Sequence, residues 1–290
     1  MDGEVRGRSV LEVLAVRFPQ LYVAPAQDAQ EAHHLAAGYG IAPSDANLGH
    51  FVSNPQDELR EVETPAGPVE VVFLKERADF ETFLQIIGHK SEPVPIARTV
   101  GAITYRGLAD WGKVAAQRDA YLAAGGDDWS SEFSRLAAQP GAFRSELIVV
   151  SEGPYSNVSA DKTPYDSHEW IRLSREIRLH HECAHVVCRR MMPGDVLPVW
   201  DEVTADVVGL LCATGGYDAQ LAALFLGVGS RGYLGGRLVE YLDEGQRACI
   251  DALSAEVHEA LVGIESISAG AHLRPFDFLL DLKKDPFLSF

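Results

Sequence analysis

The chain has 290 residues, 47% of them apolar and 23% charged, and a formal net charge of −17. That apolar share supplies a buried core and excludes a disordered chain, while the length fits one large or two small domains. The acidic excess excludes a protein that coats nucleic acid and disfavours binding to an anionic membrane, since both need a face rich in Lys and Arg.

Residues 1–8 mix both charge signs, and no signal-peptide core follows them. No run approaches the roughly 18 apolar residues of a spanning helix. Residues 10–18 read as a short amphipathic helix, broken by Pro19, Pro25 and Pro43. A β-rich run at 69–75 precedes a helix at 79–88, with Phe80, Phe83, Leu84 and Ile87 on one side. A strand is expected at 99–105, a helix at 111–124 ending at Gly125-Gly126, and a buried strand at 147–150.

Residues 151–167, rich in Gly, Pro and Ser, form a loop or lobe boundary. Beyond it the pattern is helical. Ser167 can cap a helix reaching Met191, where Pro193-Gly194 stops it. A second helix fits 201–213, and a third, long one fits 236–264, preceded by a turn at Gly232, Gly235 and Gly236. Residues 275–290 are aromatic enough to pack back on the body. The four cysteines, Cys183, Cys188, Cys212 and Cys249, lie in apolar or helical runs, so reduced thiols and a cytoplasmic location are expected.

The chemistry concentrates at His181-Glu182-Cys183-Ala184-His185. Histidines four apart on a helix share a face and can reach one metal ion, and Glu182 beside them can take a proton from water. A third protein ligand is needed, and Glu202 opens the chain's sole E-x-x-x-D, ending at Asp206. The short loop 193–199 would make the two helices antiparallel neighbours, aiming Glu202 at the histidine pair. Asp206, one turn on, could accept the ring N–H of a ligand histidine. Asp201 reads as a helix-start carboxylate favoured by the macrodipole. His180 is turned about 100° from His181, away from ligation, and His33, His34 and His168 have no partners at ligand spacing.

H-E-x-x-H followed by E-x-x-x-D resembles the gluzincin metallopeptidases, the thermolysin-like branch of the zincins. The string Glu202-x-x-Ala205-Asp206-x-x-Gly209 also looks like the second motif of the CAAX-type prenyl endopeptidases. The resemblance covers residues 177–209. It implies zinc held by His181, His185 and Glu202, Glu182 as general base, Asp206 orienting a histidine, and an α+β, zincin-like fold. Arg178 departs from the pattern, standing where zincins carry a small or β-branched residue, and the membrane spans of the prenyl endopeptidases are lacking.

The architecture expected is a mixed α/β lobe at 1–166 and a mainly helical lobe at 167–290, joined in one catalytic unit with the metal cleft between them. Residues 145–151 are either a buried strand or an edge strand that holds an extended substrate. Oxyanion stabilisation could come from Tyr155, Tyr165, His258 or His272, among which spacing does not choose. The expected function is zinc-dependent hydrolysis of a peptide or small amide. The same donors could also hold Fe2+ or another divalent metal for a non-peptide hydrolysis or redox reaction. A non-catalytic scaffold of this fold is a third reading, against which the intact Glu182 argues.

Overall fold

The computed structural model describes residues 7–139, 141–192, 194, 198–269 and 274–284. The fold is α+β. The chain divides into two compact units: the first takes residues 1–61, 70–96 and 104–151, the second 62–69, 97–103 and 152–290. The boundary therefore falls ahead of the expected one at 166, and two earlier segments join the second unit.

In the first unit, helix α1 (Val10–Arg17) starts at a capping box in which Ser9 and Glu12 bond each other's backbone N–H. Helix α2 (Gln30–Tyr39) and strand β1 (Glu58–Val62) have no counterpart in the sequence reading. Strand β2 (Val69–Leu74) and helix α3 (Arg77–His89) follow as expected. Strand β3 (Ala102–Ala109) lies further along than the expected 99–105. Helix α4 (Trp111–Ala123) is followed by α5 (Trp129–Ala137), capped by Asp128, and then by strand β4 (Arg144–Ser151).

The sheet order is β1-β2-β4-β3, with β2 and β4 parallel and Val71 opposite Ile148. Being interior, β2 and β4 are buried nearly throughout, which is why both read as continuous apolar runs. Residues 145–151 are thus an interior strand with a neighbour on each side, and the expectation of a substrate-binding edge strand is withdrawn.

The second unit is mainly helical. Two short 3-10 turns (Tyr155–Asn157 and Ala160–Lys162) lead into α6 (Ser167–Met191), whose cap is Asp166 rather than Ser167. Helix α7 (Pro198–Thr214) packs extensively on α6. Helix α8 (Ala219–Leu226), capped by Asp218, is followed by a hairpin of β5 (Val228–Gly229) and β6 (Gly232–Tyr233). The single long helix expected at 236–264 is instead a 3-10 turn (Arg237–Tyr241), a short α9 (Glu244–Arg247) and α10 (Ile250–Ser268). Asp243 restarts the chain there with a capping box to Gln246, a local bond that competes with continuing the helix.

Helix α11 (Pro275–Leu282) buries Leu279 and Leu282, as expected for a segment that packs back; residues 285–290 lie outside the described ones. The core of the unit joins Trp170 and Ile177 of α6, Val203 and Val207 of α7, Phe225 of α8 and Leu261 of α10. No described helix is long and apolar enough to cross a membrane.

Candidate metal centre

His181 and His185 lie one turn apart on α6 and face Glu202 on α7. The two Nε2 atoms are 3.1 Å apart. Glu202 lies 3.4 Å from His181 Nε2 through Oε2 and 3.5 Å from His185 Nε2 through Oε1. Donors about 2.0–2.1 Å from a tetrahedral zinc are separated by roughly 3.3–3.4 Å, so the triangle has the size such an ion requires.

Each imidazole is oriented from behind by its own carboxylate. His181 Nδ1 donates to Asp206 Oδ1 at 2.8 Å, and His185 Nδ1 donates to Asp201 Oδ2 at 2.9 Å. With the protons on Nδ1, both Nε2 lone pairs point at the same space, an arrangement that is repulsive until a cation enters it. Among the described residues this is the only group of three or more His, Cys, Asp or Glu side chains close enough to share an ion.

A second layer fixes the carboxylates. Arg237, buried, donates to Asp206 Oδ2 at 2.6 Å and stands 4.0 Å from Glu202. Tyr155 donates its hydroxyl to Asp206 Oδ1 at 2.5 Å, and the Arg237 guanidinium lies 5.0 Å from the centre of its ring. Lys283, just past α11, pairs with Asp201 Oδ1. The Tyr241 hydroxyl lies close enough for the charges of Arg237 and Glu202 to act on it.

Among the described contacts, Arg237 and Lys283 are the cations beside Asp201, Glu202 and Asp206, so three carboxylates meet two fixed positive charges when the histidines are neutral. Burial lowers the His185 pKa, but the hydrogen bonds to Asp201 and Glu202 outweigh it and push it up to about 10. Burial likewise opposes ionisation of Glu202, but its bonds to the two imidazoles hold it well below the usual carboxylate range.

Arg178, the departure from the zincin pattern, has a visible task. It is buried and donates to the carbonyls of Gly153 at 2.6 Å and Pro154 at 2.7 Å, fixing the turn that presents Tyr155. Gly101 lies against it so closely that a Cβ there would stand 2.0 Å from its Nε.

Of the four oxyanion candidates, the three that the structure describes are engaged in other contacts. The Tyr155 hydroxyl is committed to Asp206 on the Nδ1 side of His181, so its role is positioning. Tyr165 stacks on Trp170 with the rings 2° from parallel, a packing contact. His258 lines a groove with Ser230, Glu256, Glu259 and Val262, none of them a site residue. His272 lies outside the described residues. His180 faces Glu176 on its own helix at 3.8 Å, and His33 is buried against Ser91, a structural contact. The four cysteines are free thiols, and burial pushes Cys183 up to about 12.

Residues 8–273 match the model of a protein family described as a family of unknown function, DUF7005. The chain belongs to that family. The match spans both compact units and every ligand of the candidate centre. No curated protein matches the chain, and no solved structure does.

Asp201, Arg237, Tyr241 and Lys283 are site residues that sequence reasoning missed or undervalued. Asp201 carried a signal, since it adjoins Glu202 on the turn that meets α6. Lys283 and Arg237 carried none, being 82 and 31 residues from the carboxylates they hold.

Proposed function

We propose that this chain is a zinc-dependent hydrolase of the gluzincin kind, acting on a peptide or small amide in the cytoplasm. The observation that carries the reading is the triangle of His181, His185 and Glu202, with both Nε2 lone pairs turned inward by Asp206 and Asp201. Four free cysteines suit a reducing compartment. When bound there, zinc would supply a Lewis acid that polarises an amide carbonyl and lowers the pKa of a water to about 7.

Glu182 follows His181 on α6, about 100° round the helix, and is buried at 9% exposure with its charge acting on His185. Its carboxylate takes a proton from water and returns it to the leaving nitrogen. Asp206 and Asp201 keep the histidine protons on Nδ1. Arg237 holds Asp206 and adds a positive charge beside Glu202, and Tyr155 completes the cage around Asp206.

Two histidines and one carboxylate are also the donor set of non-haem iron sites, so the donor types favour iron as a second reading. Metal analysis of protein purified without added metal separates the two: stoichiometric zinc is expected, and iron would move the reaction to redox chemistry. Glu182→Gln should retain its metal and lose at least about a hundredfold in peptide or amide turnover. A variant as active as the parent would remove Glu182 as the base.

A further inference from the structure

In a proposal that rests on His181, His185 and Glu202 being metal ligands, we propose that Lys283 is a positioning residue of the metal centre, linking docking of α11 to metal occupancy. Helix α11 lies against α6 and α7, with Leu279 fully buried among Ala184, Val187 and Cys188 of α6 and Ala205 and Val208 of α7. That seat flanks His185 on the helix surface. From the end of α11 the Lys283 side chain, only 5% exposed, reaches Asp201. Cys188 lies near Lys283, whose charge acts on its thiol.

Asp201 divides its two oxygens. Oδ1 takes the ammonium of Lys283, and Oδ2 takes Nδ1–H of His185. The side chain is 33% exposed and could otherwise turn to water. Pinning Oδ1 leaves Oδ2 fixed on the imidazole, which holds the proton on Nδ1 and leaves the Nε2 lone pair for the ion. Lys283 touches neither ion nor substrate and acts only through Asp201 and His185. Because the two events share this relay, metal binding must strengthen the hold on α11 by the same factor that docked α11 strengthens metal binding.

The charge of Lys283 also opposes a nearby cation, so the two effects have opposite signs and the measurement decides between them. Zinc affinity is read by chelator competition on the full chain. Lys283→Met, which keeps the length and removes the charge, should bind zinc about tenfold or more weakly, while Lys283→Arg stays within about threefold of wild type. In an Asp201→Asn background, Lys283→Met should add no further loss.

In the zinc-loaded wild type, the His185 Nδ1 proton should give a downfield, slowly exchanging resonance that Lys283→Met loses and Lys283→Arg restores. Hydrogen exchange in α11 should slow on zinc binding in wild type and not in Asp201→Asn. Circular dichroism and thermal melting separate a misfolded variant from a relay defect, and Lys283→Gln repeats the test if Lys283→Met does not fold. Unchanged or tighter zinc binding by folded Lys283→Met, or an equal loss in the Asp201→Asn background, overturns the proposal. A wild-type chain that binds no zinc or other divalent metal removes the metal reading itself and this inference with it; zinc retained equally by both chains removes the inference alone.

Discussion

At the scale of single residues, the proposed metal would compete with protons for the same two nitrogens. In the ion-free chain His185 holds its proton up to about 10, and His181 is also raised, by its bonds to Asp206 and Glu202 against the opposing effect of burial. Loading must expel those protons. Zinc affinity should therefore climb through the neutral range, by about tenfold per pH unit for each proton displaced. Buffer-dependent binding heats would count the protons, and an affinity flat between about pH 6 and 8 would show that no imidazolium proton is displaced on binding.

For the ion-free protein the sign is opposite. A raised imidazole pKa contributes stability that is complete below the unfolded value of about 6.5 and is lost as pH rises through about 10. Metal-stripped protein should thus melt progressively lower as pH rises across that window, as scanning calorimetry would show. Asp206→Asn takes away a buried charge that Arg237 neutralises. It should weaken zinc binding about 10–100-fold, read by chelator competition.

Among elements, the decisive contact is the approach of α7 to α6. Gly209 permits it: a Cβ there would stand 2.8 Å from the Ile177 carbonyl oxygen and 3.0 Å from its Cγ2. Backbone cannot move aside as a side-chain tip can. Gly209→Ala should therefore cost about 1–3 kcal/mol in urea unfolding and weaken metal binding as well, because the ligands sit on the two helices being forced apart. A variant with parental stability and affinity would show that the helices reach the same spacing another way.

The clustering of the candidate ligands was legible in the sequence because helical spacing alone puts His181 and His185 on one face, and Asp206 one turn beyond Glu202. The supports were not, since Tyr155 meets Asp206 across 51 residues through a turn whose shape Arg178 dictates. The long helix drawn over 236–264 failed for a local reason. Apolar periodicity runs through it, but the Asp243 capping box offers the backbone a competing bond.

At the scale of the whole molecule, the first unit is stapled by one side chain. Arg17 of α1 bonds both oxygens of Glu70 on β2, at 2.6 and 2.7 Å, and Asp110, the cap of α4, at 2.8 Å. Asp110 is completely buried. Arg17→Met should cost about 3–5 kcal/mol, because it strands that carboxylate without its cation. Equilibrium unfolding would measure the loss, and one below about 1 kcal/mol would mean that Ser145 and the Lys113 N–H satisfy Asp110 unaided.

The two units are interleaved along the chain, which passes between them at 61/62, 69/70, 96/97, 103/104 and 151/152. Arg190 donates to the carbonyls of Ala66 and Pro68, and Thr99 to Glu240, so residues encoded early are built into the unit that holds the ligands. No single cut in the gene separates the two. A fragment starting at Glu152 would carry every candidate ligand yet lack both early segments, so the unit with the candidate metal centre can be inherited, shuffled or excised only together with its partner.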